Sequence, residues 1–236
     1  MLIAAFPAGP WATNCYVVAT SPGSECVVVD PGKDAAAGVA EVVREHRLKP
    51  VSVLVTHGHV DHMWCVAPVA GTYDATAWIH PADRHLLSDP MAGMSRETSQ
   101  MLLGGAYQWA EPDDVRELAD ADELELAGLR FVVDHTPGHT PGSVTFRTPY
   151  DGEDISQVMF AGDLLFQGSI GRTDLPGGDH AAMLRSLSAK VLTLPDDVVV
   201  LPGHGDQTSI GRERVTNPYL LDLAEDGSAG RVTRGL

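Results

Sequence analysis

Short apolar runs open the chain, and glycine and proline separate one run from the next. Runs of this length that are rich in valine predict strands at residues 15–19 and 26–30. Between residues 35 and 47 the valines recur at helical intervals, which predicts a helix that ends before Pro50. The continuous apolar run at residues 51–55 then predicts a strand that is buried on both faces.

The rest of the chain again places strands before a helix. Apolar runs predict strands at residues 77–80, 123–126, 129–135, 143–148, 157–161 and 198–201, and helices from Pro81 and over residues 180–192, the second capped by Asp179. Because both halves have this order, we expect an α/β protein with two facing sheets and helices on both outer surfaces. Residues 1–225 are assigned to this domain and residues 226–236 to a flexible tail.

The charge of the chain excludes some partners. Thirty-two acidic and sixteen basic residues give a formal net charge of −16, and the basic residues are scattered. Because this surface repels phosphates, no nucleic-acid partner is expected. No apolar run is long enough to span a bilayer and no export signal is found, so we expect a cytoplasmic protein without a membrane partner. The oligomeric state stays open.

Histidine and aspartate are concentrated directly after the run at residues 51–55. The segment Thr-His-Gly-His-Val-Asp-His contains the candidate donors His57, His59, Asp61 and His62. Zinc, iron and manganese accept imidazole and carboxylate ligands, and a loop that leaves a strand can turn several of them towards one point. The segment therefore predicts a metal site.

Three further donors follow other predicted strands. His139 lies in Thr-Pro-Gly-His-Thr, Asp163 in Ala-Gly-Asp and His204 in Leu-Pro-Gly-His-Gly. The neighbouring glycines let the backbone come close to a bound ion. Seven donors suit two divalent metal ions, which we expect to share Asp163 and a bridging hydroxide.

This series of motifs resembles the metallo-β-lactamase superfamily over nearly the whole chain. The resemblance implies a four-layer αβ/βα sandwich. It also implies a division of the seven ligands between two metals. The first metal would be held by His57, His59 and His139, and the second by Asp61, His62 and His204, with Asp163 bridging.

Residues 162–179, Asn14-Cys15-Tyr16 and Asp30-Pro31-Gly32 are similar to the single-domain hydrolases of the glyoxalase II type. The resemblance implies hydrolysis of a small-molecule thioester, such as an S-lactoyl conjugate of a small thiol, with zinc preferred over iron or manganese. Asp61 would be the catalytic residue that orients the hydroxide and takes up its proton.

The chain departs from this group in two places. Hydroxyacylglutathione hydrolases contact glutathione through a helical C-terminal extension. This extension has no counterpart after His204, so weak recognition of glutathione is expected. Met63-Trp64-Cys65 stands where many relatives have glycines, and we expect it to alter the cleft wall or the surroundings of the ligands.

Other functions compete with thioester hydrolysis. An iron-dependent persulfide dioxygenase would use His57, His139 and Asp163 as a two-histidine, one-carboxylate triad on the same scaffold. A nuclease would need a basic surface, and a secreted β-lactamase would need an export signal. A structural zinc module would need cysteine ligands, and the sequence predicts none of these features. The dioxygenase is therefore the main alternative.

Several residues near the motifs have two interpretations. Asp30 and His135 either orient ligands or have only local structural roles, and the apolar residues of segment 91–109 either form a wall over the cleft or pack as an ordinary helix. Arg172 and Asp174 are expected to pair beneath the site, and Cys65 to be a buried apolar residue. The histidines expected to lie outside the site are His46, His80, His85 and His180.

Overall fold

The computed structural model of the protein describes residues 1–95 and 109–232, with side chains up to residue 225. Six strands form a first sheet in the order in which they occur along the chain. The first three strands are antiparallel, and the third to the sixth are parallel. They are β1 (Leu2–Ala8), β2 (Thr13–Ala19), β3 (Glu25–Val29), β4 (Lys49–Leu54), β5 (Thr76–Ile79) and β6 (Val115–Glu117).

A second six-stranded sheet has the order β14-β13-β10-β9-β8-β7. Only the β10 and β13 neighbours are parallel in this sheet. Two further strands form a small hairpin. The bounds are β7 (Glu123–Leu126), β8 (Leu129–His135), β9 (Val144–Gly152), β10 (Ile155–Gly162), β11 (Leu165–Phe166), β12 (Ser169–Ile170), β13 (Val199–Pro202) and β14 (Thr208–Ser209).

Helices connect and cover these sheets. They are α1 (Ala35–His46), α2 (Val60–Met63), α3 (Val66–Tyr73), α4 (Pro81–Arg84), α5 (His180–Ser186), α6 (Ile210–Thr216) and α7 (Pro218–Val232). A π-helical turn, Leu187–Val191, continues α5, whose first turn is capped by Asp179 as predicted. Within the described ranges, none of the helices has the length and apolar character that a membrane span requires.

Alternate residues of the central strands face two different apolar layers. In β2, Val17 packs towards α1 with Val39, whereas Val18 lies between the two sheets with Phe146. A third apolar layer, which includes Met183 of α5, covers the outer face of the second sheet. Both sheets are thus buried on both faces, and the predicted four-layer αβ/βα sandwich is confirmed.

The edges of the structure differ from the sequence-based prediction. The apolar start of the chain forms the edge strand β1, and β6, β14 and the helices α3, α6 and α7 were also not predicted. Pro50 lies inside β4, because α1 already ends at His46 and Arg47 reverses the chain with a φ of 55°. Helix α7 extends to Val232. The flexible tail over residues 226–236 stays a prediction.

Four strand ends meet at one side of the sandwich. β8 and β10 both run antiparallel to β9, and β10 runs parallel to β13, so the three point the same way. The end of β4 joins them from the first sheet, since the Val144 backbone N–H donates to the Thr56 carbonyl at 2.8 Å. The loops that follow these four strands carry the candidate donors.

Candidate metal centre

The structure brings all seven predicted donor side chains together. The donors form three groups of three residues, and within each group the ligand atoms lie within 4.8 Å of one another. The groups are His57, His59 and His139; His57, His62 and Asp163; and Asp61, His62 and His204.

The first donor set contains His57, His59 and His139, and all three side chains are buried. His59 Nδ1 lies 2.8 Å from His139 Nε2, close enough for both nitrogens to contact the same ion. His57 Nε2 is buried and has no hydrogen-bond partner within the described part of the chain. A buried polar atom without a partner is costly, and a metal ion would satisfy it, so these residues fit a cation.

The second donor set contains Asp61, His62 and His204. Asp61 Oδ2 lies 3.1 Å from His204 Nε2 and 3.6 Å from His62 Nε2. The two histidine nitrogens are 3.3 Å apart. This mixed nitrogen and oxygen set suits a borderline divalent metal.

Asp163 lies between the two sets. One of its carboxylate oxygens is 3.3 Å from His62 Nε2. The other is 3.4 Å from His139 Nε2 and 3.6 Å from His204 Nε2. A single carboxylate in this place can contact ions in both sets.

Backbone carbonyls orient two of the candidate donor rings. His139 Nδ1 donates to the Arg172 carbonyl at 2.7 Å, and His204 Nδ1 donates to the Trp11 carbonyl at 3.1 Å. Because Nδ1 is then the protonated nitrogen, Nε2 of each ring keeps its lone pair for a metal. The sequence pattern does not indicate either carbonyl, since a backbone atom carries no residue-type signal.

Asp30 orients a third ring. Its carboxylate accepts hydrogen bonds from the Thr56 backbone N–H at 2.8 Å and the Thr56 hydroxyl at 2.6 Å, and it lies 2.9 Å from His62 Nδ1. Asp30 also bends the chain, with a φ of 48°. Asp30 therefore contacts a candidate donor, as the first interpretation predicts, and also shapes a turn.

Electrostatics prepare three of the candidate donors for a cation. Burial raises the pKa of Asp163, but His62 and the other neighbouring histidines outweigh burial and hold this pKa below its ordinary value. Burial, followed by the proximity of His62, lowers the pKa of His57. Burial and His139 lower the pKa of His59 to about 3. At neutral pH the carboxylate is ionised and these two rings are neutral, which is the state in which each binds a metal. At His62 and His204, burial lowers the pKa, but the neighbouring carboxylates outweigh burial and raise this pKa above its ordinary value.

Gly203 gives the centre its close packing. A Cβ atom at this position would lie 2.3 Å from Asp163 Oδ1 and 2.5 Å from His62 Cε1. No side chain fits there unless one of these groups moves.

We expect Gly203→Ala to weaken metal binding by at least about tenfold, the lower end for changes around metal ligands. Chelator competition on purified protein measures this affinity. Gly71→Ala is the matched control, because a Cβ at Gly71 of α3 has nothing within 4 Å. Wild-type metal affinity in Gly203→Ala would contradict the packing argument.

A cavity of about 460 Å³ opens beside the centre. Its walls are largely apolar, and Arg172 is the one lysine or arginine among the described residues that line it. The Arg172 guanidinium makes two 2.7 Å hydrogen bonds to Asp174, as predicted, but the pair is exposed at the rim rather than beneath the site. The lining also includes Trp11, Val60, Met94, Phe166, Ile170 and Leu175.

The predicted apolar wall is only partly present at this cavity. Met94 lines it, whereas Trp109 packs edge-on against Trp64, with ring centroids 4.8 Å apart, at a separate cavity of about 220 Å³. Residues 96–108 of the predicted wall lie outside the described residues. Met63, Trp64 and Cys65 are not among the described residues that line the cavity beside the centre, so the structure does not support a place for them in its wall. Their predicted effect on the surroundings of the ligands stays a prediction, and Cys65 is a buried core residue, as expected.

The other histidines do not join the centre. His135 stacks on His80 with ring centroids 4.0 Å apart, and His135 Nε2 lies 2.9 Å from the Pro141 carbonyl. His135 thus contacts the loop around His139, and neither of these two contacts involves a candidate donor side chain. His46, His85 and His180 are absent from all three donor groups.

This chain is similar to known proteins in sequence and in fold. The family model described as the metallo-beta-lactamase superfamily matches residues 8–204. The hydroxyacylglutathione hydrolase GloC of Haemophilus influenzae is 31% identical to this chain, and the match covers 93% of this chain and 98% of GloC.

Two solved structures are also similar. The BLEG-1 B3 metallo-beta-lactamase is 40% identical with a TM-score of 0.79, and the match covers 93% of this chain and 99% of that one. The di-iron-bound form of TTHA1623 is 36% identical with a TM-score of 0.72, and the match covers 93% of this chain and 100% of that one.

Proposed function

Because the chain belongs to the metallo-β-lactamase superfamily, we propose that it is a two-metal hydrolase of the glyoxalase II type that cleaves S-acyl conjugates of a small thiol. The proposal of a two-metal site rests on the position of Asp163, whose carboxylate oxygens lie 3.3–3.6 Å from histidines of both donor sets. The similarity to GloC supports the thioester substrate. Zinc is the preferred metal, and the nitrogen and oxygen donors also suit iron and manganese.

The proposed ligands divide the work of the reaction. Two divalent ions held by these residues would polarise the thioester carbonyl and lower the pKa of a nearby water. Burial raises the pKa of Asp61, but His62 and His204 outweigh burial, and the net pKa is held well below its ordinary value. The Asp61 carboxylate is therefore ionised, accepts a hydrogen bond from the Thr13 hydroxyl at 3.3 Å, and would orient the attacking water. Because a lowered pKa makes the carboxylate a weaker base, its proposed uptake of the proton would depend on the metals making that water more acidic.

The lining of the cleft favours a thioester over an amide. Among the described lining residues there is no lysine, cysteine or tyrosine, and every histidine is a proposed metal ligand. An amine leaving group needs a proton before it departs, whereas a thiol with a pKa of about 8.5 leaves readily as thiolate. A cleft without a spare general acid therefore suits the thiol leaving group.

The thiol carrier is expected to be weakly bound if it is anionic. The cation on the described lining, Arg172, is already paired with Asp174, and the chain has a net charge of −16. We expect a KM for S-lactoylglutathione of about 1 mM, at the upper end of common values, and a lower KM for the same acyl group on a less charged thiol. Steady-state kinetics on one acyl group carried by several thiols measures this difference.

The variant Asp174→Asn provides a matched comparison in that series. It frees the Arg172 guanidinium without changing a proposed ligand, so it should lower the KM for the glutathione ester and leave the KM for an uncharged carrier unchanged. A micromolar KM confined to the glutathione ester in the wild type would contradict the weak-carrier prediction. No hydrolysis of any thioester in the series by metal-loaded protein would overturn the proposed function.

Two other activities belong in the same screen. The 40% identity to BLEG-1 is a reason to test a chromogenic cephalosporin, whose turnover in place of thioesters would identify a β-lactamase. Oxygen uptake on glutathione persulfide by iron-loaded protein would identify the persulfide dioxygenase. Thioester hydrolysis without either reaction is the expected result.

A further inference from the structure

A fully buried carboxylate outside the donor sets lies behind the first of them. Asp83 belongs to the short helix α4, which follows β5, and its side chain has no exposed surface. No described group of candidate ligands includes it. A buried carboxylate persists in a fold only where hydrogen bonds compensate its lost hydration.

Three hydrogen bonds to Asp83 supply this compensation, and they come from two separate loops. Asp83 Oδ2 accepts from the Gly58 backbone N–H at 2.9 Å and from the Thr140 hydroxyl at 2.6 Å. Asp83 Oδ1 accepts from the Gly142 backbone N–H at 2.7 Å. The carboxylate thus joins the loop after β4 to the loop after β8.

These contacts lie next to every ligand of the first donor set. Gly58 stands between His57 and His59, and Thr140 directly follows His139. Gly142 packs directly against Asp83, because a Cβ at Gly142 would lie 2.5 Å from the Asp83 side chain. None of the hydrogen bonds that Asp83 accepts comes from a residue of the second set.

We propose that Asp83 is a positioning residue that sets the spacing of His57 and His59 relative to His139, and so sets the affinity of the first metal site. Its role parallels that of Asp30, which holds His62 of the second set. The inference rests on the metal-binding part of the proposed function and is independent of the substrate.

The test is Asp83→Asn, with metal affinity as the readout. In this variant the amide NH₂ faces at least one of the three groups that donate hydrogen bonds to Asp83. That hydrogen bond is lost, and two donor groups face each other instead. We expect first-site affinity to fall about 10- to 100-fold, as for other changes around metal ligands, while second-site affinity changes less than about threefold. Chelator competition with Zn²⁺ resolves two binding steps, and the single-site variants His57→Ala and His204→Ala assign them.

Glu213→Gln is the matched control. Glu213 is also fully buried and accepts three hydrogen bonds, from Thr208 Oγ1 at 2.6 Å, the Gly168 backbone N–H at 2.7 Å and Asn217 Nδ2 at 3.0 Å, but none comes from a loop of the first donor set. This variant should lose stability and keep first-site affinity. If Asp83→Asn leaves first-site affinity unchanged, or weakens both sites equally, the proposal is wrong.

A milder variant keeps the test decisive if Asp83→Asn does not fold. Thr140→Val removes one of the three hydrogen bonds, together with the 2.7 Å hydrogen bond between the Thr140 and Ser143 hydroxyls, and preserves the shape of the side chain. We expect a smaller loss, still confined to the first site, and equal affinities in Thr140→Val and wild type would also overturn the proposal. Because both readouts are metal affinities, a failure of the thioester assay does not affect them.

Discussion

Replacing Asp163 with alanine is expected to lower thioester turnover by at least about 10³-fold, or about 4 kcal/mol of transition-state stabilisation. The carboxylate oxygens lie 3.3 Å from His62 Nε2 and 3.4 Å from His139 Nε2, so both proposed metal sites lose the ligand that they share. The substitution also removes a negative charge that would offset the repulsion between two adjoining cations. Turnover and metal content per chain, measured on the same preparation, test this prediction.

The controls for Asp163→Ala separate the bridge from a single ligand. His57→Ala should also lose most activity, but it should retain metal in the set formed by Asp61, His62 and His204. His46→Ala and His180→Ala should turn over at close to the wild-type rate, because neither histidine belongs to a donor group. An Asp163→Ala protein with wild-type turnover and two bound metals would refute the bridging position.

Removal of metal is expected to abolish hydrolysis completely, and two equivalents of a divalent metal per chain should restore it. The reason is that the described cleft lining offers no other free electrophile, since its one arginine is paired with Asp174. Metal binding should also raise the melting temperature, because the ion binds only the folded arrangement of the ligands. Dialysis against a chelator, followed by titration with zinc, iron or manganese, provides the measurement.

Elemental analysis of the active protein as purified gives this prediction its control. Full activity in protein without any transition metal would rule out the proposed chemistry. Full recovery after one equivalent would rule out the need for two ions. If that single ion were iron and oxygen uptake on persulfide followed, the dioxygenase alternative would replace the hydrolase.

The donor residues could be predicted because their spacing is local. His57, His59, Asp61 and His62 lie within six positions of one another, and His139, Asp163 and His204 each follow an apolar strand beside a glycine. Strand ends are places where side chains can converge, so the pattern of strands also predicts where donors gather. The structure places all seven side chains together at those ends.

The groups that hold the donors in place could not be predicted in this way. The Trp11 carbonyl that orients His204 is 193 positions away from it, and the Arg172 carbonyl that orients His139 is 33 positions away. Asp83 contacts Gly58 and Thr140 across 25 and 57 positions. Nothing in the residue types at these positions marks such pairs.

The sequence by itself therefore determined the sandwich layers and the candidate donor residues, because the apolar runs and the spacing of donors within a loop are local properties of the chain. Only the tertiary structure decided that Trp109 packs on Trp64 away from the cleft, that Arg172 is paired at its rim, and that Asp83 joins two ligand loops. These contacts depend on how strands distant in sequence are packed, and the same residue types fit several such packings equally well.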